Sequence, residues 1–330
     1  MEFKPDTWFD EVVKTYQIIS PYINHTPLVT CPQLNEELRG KCIFKAESLQ
    51  ITGSFKVRGA LSAISRLSDD QLKKGVIAYS SGNHAQGVAH AAKVFNTPAT
   101  VVMPKDAPSK KIATAKELGA DVIFYNRRTE SREEISHEIA KERNLTLINP
   151  YDALTTIYGQ ATAAYEVIHD ANNPKIDNAI ICAGGGGLTA GSCMALKHIN
   201  PDCNVYTAEP EEWNDHQQSF ARNERVALDT NRTGLCDGLL TPTPGEIPFK
   251  INQHFGVTGL STSDQEVCNA MSYAFNMLNL KLEPSGAIAL ACLLANKEKF
   301  KDSRTLIMLS GGNVDEETFN NCLSQAQKPL

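Results

Sequence analysis

VIAYSSGNHAQGVAHAAKVF (76–95) joins a strand to a helix through a short polar turn. Val76–Tyr79 is apolar without alternation, the pattern of a strand covered on both faces. Ala85, Val88, Ala89 and Ala92 then fall at i, i+3, i+4 and i+7, one face of a helix. Downstream, ATVVM (99–103) stops at Pro104 and precedes a helix near 109–118, which Gly119 ends. ADVIFY (120–125) precedes a charged helix at about 131–143, and TLIN (146–149) closes the series. A second series runs through a helix at 159–171, NAIICA (178–183), a helix from about 187 and NVYTAE (204–209). Helices near 263–278 and 285–297 and the strand TLIMLS (305–310) follow, while TPTPGEIP (241–248) reads as an ordered loop. Such alternation predicts an α/β protein with parallel-rich sheets covered by helices on both faces. In that architecture ligands collect where strand C-termini meet helix N-termini.

The 330 residues suggest about two domains. Lys plus Arg is 32 against 38 Asp plus Glu, a net charge of −6, which offers no field for nucleic acid or an anionic membrane. The nine cysteines contain no C-x-x-C pair, so neither a disulfide framework nor a thiolate zinc site is expected. MEFKPDTWFDEVV lacks the apolar core of a secretory signal. The longest apolar run, Gly286 to Ala295, falls short of the ~20 residues that span a bilayer. Cytoplasmic localisation is the expectation.

Several stretches carry possible chemistry. Gly184, Gly185, Gly186 and Gly187 follow a strand and open a helix, which makes either a tight turn or a backbone cradle for a phosphate. Lys56 in GSFKVRGA is by itself an ordinary surface cation, although Phe55 beside it could wall an aromatic ring. SSGNH (80–84) offers hydroxyls, an amide and an imidazole for an oxyanion, or a plain loop in which Asn83 or His84 caps the next helix. SGGN (310–313) repeats that choice. Glu209 and Asp215 in EPEEWND could hold a hard cation or form an acidic loop. Arg127, Arg128 and Arg132 read as a solvated basic face.

Taken in order, these segments resemble the pyridoxal-phosphate enzymes of the tryptophan-synthase-β fold type, and within it the serine/threonine dehydratase and serine racemase group. HTPL (25–28), ESLQITGSFKVRGA (47–60), SSGNHAQGVA (80–89), GGGGL (184–188), AEP (208–210), EPSGA (283–287) and SGGNVD (310–315) carry the likeness. It implies a two-domain fold of type II. A large cofactor-binding domain comes from residues 1–73 and 150–330, and a small mobile domain from 74–149 closes on substrate.

The resemblance makes Lys56 the Schiff-base lysine and general base, with Phe55 packed against pyridoxal 5′-phosphate. Asn83 would bond the ring hydroxyl, Gly184 to Gly187 with Leu188 would hold the phosphate, and Ser310 would face the pyridine nitrogen. Ser80, Ser81, Asn83 and His84 would line the site of the substrate carboxylate, with Arg132 a further contact. Ser81 stands where serine racemases place the second proton donor. Glu209, the Trp213 carbonyl and Asp215 match a loop for a divalent cation: Mg²⁺, Ca²⁺ or Mn²⁺.

The implied activity is β-elimination of L-serine and L-threonine to a keto acid and ammonia, coupled to serine racemisation. A homodimer acting on small amino acids is expected. Some residues depart from the group. Tyr158 and Ala161, in IYGQAT, stand where relatives usually show the smaller pair in A-G-Q-G-T, and Tyr151 and Asp152 alter the substrate side. Ile51, Cys31 and Pro32 argue against a nucleotide effector site, and no regulatory domain is expected after Leu330. A threo-3-hydroxyaspartate dehydratase, which needs a cation for the distal carboxylate, is the nearest alternative. A cysteine-synthase-like replacement enzyme and a catalytically silent amino-acid-binding protein are the others.

Overall fold

The structure, a computed structural model, describes residues 7–80, 82–107, 109–126, 129–170, 175–229 and 232–327. Among them ten strands form two sheets. They are β1 (Leu28–Val29), β2 (Lys41–Ala46), β3 (Val76–Tyr79), β4 (Ala99–Pro104), β5 (Asp121–Tyr125), β6 (Thr146–Leu147), β7 (Asn178–Cys182), β8 (Asn204–Pro210), β9 (Thr258–Thr262) and β10 (Arg304–Leu309). The orders are β5-β4-β3-β6 and β1-β2-β10-β7-β8-β9. Every pairing is parallel except β1 with β2. β3, β4 and β7 are buried along their whole length, which is why their sequences do not alternate. No described helix is long and apolar enough to cross a membrane.

The lysine-bearing helix Lys56–Ile64 belongs to neither sheet. It packs by Val57, Ala60, Leu61 and Ile64 against Val88 and Ala89 of the helix Asn83–Val94. Its other flank meets the helix Leu154–His169, where a Cβ at Gly159 would collide with the Arg58 carbonyl and one at Gly59 with the Gln160 amide. Glycine at these crossings brings backbones closer than any side chain permits.

Beneath this helix lie four buried charges. Arg58 donates from Nε and Nη2 to Glu47 at 2.7 and 2.9 Å, and from Nη1 and Nη2 to Glu166 at 2.8 and 2.9 Å. Lys45 Nζ reaches Glu166 at 2.5 Å and the Thr26 carbonyl at 2.7 Å, and the Thr26 hydroxyl donates to Glu47. Two cations and two carboxylates balance, so no net charge is buried. β2, its following turn, the lysine helix and the helix Leu154–His169 are thereby tied at one point.

The sequence pattern misplaces some boundaries. The helix expected from 159 begins at Leu154, because Asn149 Oδ1 accepts the N–H groups of Tyr151 and Asp152 and Thr156 donates its hydroxyl to the Asn149 carbonyl. TPTPGEIP is a loop only in its first part. Glu246 opens the helix Glu246–His254, whose first N–H groups are taken by the distant Asp152 carboxylate at 3.0 and 2.8 Å. Neither Asn83 nor His84 caps the helix Asn83–Val94; Gly82 is its N-cap residue, with no side-chain cap bond.

Replacing Arg58 by Met leaves Glu47 and Glu166 sharing Lys45 alone. Removing one partner of a buried pair costs about 3–5 kcal/mol, and urea unfolding of Arg58→Met is expected to show a loss of that size. A loss below about 1 kcal/mol would deny the network its structural weight.

Candidate active site

Four parallel strands deliver chemistry at their carboxyl ends, and the cleft forms among those ends. β3 leads to Ser80, β7 to Gly184 and β10 to Ser310, while β2 leads through the turn Glu47–Leu49 to Lys56. Phe55, Lys56, Ser80, Asn83, His84, Arg132, Gly184 to Gly187, Leu188 and Ser310 all line one cleft. Ser81, expected in the cleft, and Arg127 and Arg128, expected on a basic face, lie outside the described residues.

Lys56 is set by backbone pairing with the segment after β10. Ser54 bridges Gly311, the Phe55 N–H donates to the Ser310 carbonyl at 3.2 Å, and the Gly312 N–H donates to the Gly53 carbonyl at 2.9 Å. Gly53 has φ +72, and the Asn313 side chain fills the space a Cβ would need. The amine donates to the Pro150 carbonyl at 3.1 Å and lies 5.2 Å from the centre of the Phe55 ring. Burial, reinforced by Arg132 and opposed by Cys182 and Glu283, lowers its pKa to about 8.

The glycine run turns from β7 into a helix and lies open to the cleft. Gly186 has φ +86 and is the N-cap of the helix Gly187–Ile199. A Cβ on Gly185 would run into the Tyr151 ring, and one on Gly187 would crowd the Tyr151 backbone. Gly184 faces Gly238 and Leu239 on the other side. First-turn N–H groups of a helix have no partner within it, and its dipole favours an anion there. A phosphate ester fits this loop.

Asn83 donates to Glu283 at 2.5 Å and accepts from Asn313 at 2.8 Å, so its amide is oriented across the cleft. His84 donates from Nε2 to the Ile148 carbonyl at 2.9 Å; burial and Lys56 push its pKa to about 3, so the ring stays neutral. The Ser310 hydroxyl is buried and donates to the Ser285 carbonyl at 3.4 Å. Arg132 lies over the Tyr79 ring at 5.5 Å and pairs with Glu133 at 2.8 Å; it is a cleft residue, not part of a solvated basic face.

Sequence reasoning passed over Lys111, Asp237 and Glu283 as site residues. Lys111 Nζ pairs with Asp237 at 2.9 Å and lies 3.9 Å from Glu283. Burial, opposed by Lys111, raises the Glu283 pKa to about 7. Glu283 sits within EPSGA, whereas Lys111 looks like any surface lysine in KKIATAK.

Glu209 and Asp215 do not line this cleft. Glu209 accepts from the His216 and Gln217 N–H groups at 2.8 and 2.9 Å. Both Asp215 oxygens are buried without a hydrogen-bond partner. Burial raises both carboxyls, and Glu209 adds repulsion at Asp215. Trp213 is buried, with its indole N–H donating to the Thr233 carbonyl at 3.3 Å. Among the described residues no group of three or more His, Cys, Asp or Glu could hold a metal ion.

A family profile described as "Pyridoxal-phosphate dependent enzyme" matches residues 19–311. A serine racemase of Schizosaccharomyces pombe is 40% identical over 96% of this chain and 97% of its own. An L-threo-3-hydroxyaspartate ammonia-lyase of Saccharomyces cerevisiae is 40% identical over 96% of each chain. The solved structure of maize serine racemase superposes with a TM-score of 0.89 at 34% identity, covering 96% of this chain and 97% of that one. The amine, the glycine cradle and the buried Ser310 hydroxyl in one cleft suit pyridoxal phosphate.

The lowered pKa has a direct readout. At pH 7.5 roughly a quarter of Lys56 is the neutral amine, against about one in a thousand for an ordinary lysine. In the cofactor-free protein, acetylation of Lys56 followed by peptide mass spectrometry should rise with pH to a midpoint near 8. A midpoint above 10 would show the amine to be solvated.

Proposed function

The chain belongs to the pyridoxal-phosphate dependent enzymes, and we propose that it deaminates L-serine and L-threonine to keto acid and ammonia and also racemises serine. The observation that carries this reading is the partly buried Lys56 amine, lowered to a pKa of about 8, in one cleft with the four glycines Gly184 to Gly187 and with Ser80, Gly82, Asn83 and His84.

The cofactor, when bound, supplies an electron sink for negative charge at the substrate α-carbon. The protein residues supply the rest. Gly184 to Gly187 and Leu188 would hold its phosphate, Phe55 its ring face, Asn83 its hydroxyl and Ser310 its ring nitrogen. Ser310 is a hydroxyl rather than a carboxylate, so it leaves that nitrogen without a strong acid beside it. The first turn of the helix Asn83–Val94, with Ser80 and Ser81, would bind the substrate carboxylate. Lys56, neutral in an appreciable fraction near pH 7.5, would take the α-proton. Loss of the β-hydroxyl then commits L-serine to pyruvate and ammonia. Ser81 would return a proton from the opposite face, giving D-serine.

Residues 74–149 would form the small domain that closes over substrate. Lys111 and Asn83 reach out of it to Asp237 and Glu283, contacts that closure would tighten. Glu209 and Asp215, with the Trp213 carbonyl, would hold Mg²⁺, Ca²⁺ or Mn²⁺; the two unpartnered, buried Asp215 oxygens support this. Nine free, buried cysteines suit the reducing cytoplasm. Assembly as a homodimer follows from the resemblance alone.

Two cations in the cleft, Lys111 and Arg132, favour a second reading, L-threo-3-hydroxyaspartate ammonia-lyase activity, because that substrate carries a second carboxylate.

One assay with pyridoxal phosphate and Mg²⁺ separates the two. L-Serine is expected to give pyruvate and D-serine, and L-threonine 2-oxobutyrate. Ser81→Ala should lower D-serine at least tenfold more than pyruvate. Oxaloacetate from L-threo-3-hydroxyaspartate with no product from serine or threonine would establish the second reading instead.

A further inference from the structure

His216 has no part in the chemistry above, yet it touches both halves of the binding apparatus. It is wholly buried, and its Nε2 donates to the Gly184 carbonyl at 2.8 Å. Because a carbonyl only accepts, the ring proton sits on Nε2, leaving the buried Nδ1 without a partner. The imidazole also occupies the space that a Cβ on Gly186 would need. Its main-chain N–H donates to Glu209 Oε1 at 2.8 Å, and Asp215 is its immediate neighbour. These contacts lie in the first turn of the helix Asp215–Arg222, whose N-terminal N–H groups Glu209 satisfies. A single residue therefore has its backbone on the carboxylate pair and its side chain on the phosphate cradle.

We propose that His216 is a positioning residue that couples a divalent cation at Glu209 and Asp215 to the hold of the Gly184–Gly187 loop on the cofactor phosphate. The inference rests on the cofactor and cation assignments of the proposed function. A cation balances the charge of the pair and fixes the first turn of the helix. The imidazole then holds the Gly184 carbonyl and the left-handed turn at Gly186 in the shape that presents N–H groups to phosphate. Such coupling is reciprocal: whatever factor the cation adds to cofactor affinity, the cofactor adds to cation affinity.

Equilibrium dialysis of pyridoxal phosphate from the holoenzyme, in Mg²⁺ and in EDTA, tests this. For the wild type, Mg²⁺ is expected to tighten binding about fivefold or more. In His216→Ala the two dissociation constants should coincide near the wild-type EDTA value. In His216→Gln, whose amide can still donate to the Gly184 carbonyl, at least half of the Mg²⁺ effect should return, which a merely space-filling role would not produce. Mn²⁺ binding followed by electron paramagnetic resonance reports the cation directly. Wild-type protein that binds Mn²⁺ and pyridoxal phosphate independently would overturn the coupling and leave the proposed function standing. An alanine variant with the full wild-type Mg²⁺ effect would overturn the role of His216. Wild-type protein that binds no pyridoxal phosphate would overturn the proposed function and this inference with it.

Discussion

Arg58 stands two residues beyond Lys56, and the division of its guanidinium between Glu47 and Glu166 constrains where the Lys56 amine can be. The planar fork of arginine suits two carboxylates at once, which the point charge of a lysine does not. Because all four charges of the network are out of water, each holds its partners against a large desolvation cost. The network fixes the lysine helix from below, while the Ser54–Gly311 bridge fixes its first residue from the side. With backbone and helix axis both determined, the side chain of Lys56 has little freedom left except along its own torsions.

The cleft that results is unusually dependent on the absence of side chains. Tyr151 lies against Gly185 and Gly187, Asn313 against Gly53, and the Glu283 carboxylate where Gly311 would place a Cβ. These are close approaches from separate parts of the chain, all directed at one small volume. The polar groups there follow the same economy: Asn83 serves Glu283 and Asn313, while Glu283 also faces Lys111. Lys111 pairs with Asp237 and Arg132 with Glu133, whereas the Lys56 amine donates to a carbonyl and burial lowers its pKa against the pull of Glu283. Among the described residues no carboxylate lies at ion-pair distance from the Lys56 amine, which suits the neutral form proposed for it.

From Val76 onward the strands were legible because burial on both faces leaves unbroken apolar runs, as in VIAY, and Pro104 and Gly119 punctuate them. β9 was not, since TGLST at the sheet edge is only partly buried and carries no run. The glycine loop was visible as a loop, because four successive residues without side chains follow a strand and open a helix. Lys56 was legible only through the order of motifs around it, because a single lysine carries no local sign of its surroundings. Lys111, Asp152 and His216 were hidden for a further reason. What makes them matter is a partner far away in sequence: Asp237 for Lys111, the Glu246 and Ile247 N–H groups for Asp152, and the Gly184 carbonyl for His216. Periodicity records which face of an element is buried and is silent about what that face meets.

β2 runs in register with β10 along its whole length, from Lys41 beside Arg304 to Ala46 beside Leu309. A chain leaving the ribosome therefore carries the lysine helix long before the strand that sets its position exists. Until β10 emerges, β2 has an open edge, and the Ser310 carbonyl that receives the Phe55 N–H has not been made. The four-stranded sheet can form early from local pairings, whereas the six-stranded sheet waits for a contact of very long sequence separation, the slow kind. The cleft is thus completed late in the life of each new molecule. The interval in which β2 has only β1 beside it and one edge open is the point at which a folding chaperone has most to protect.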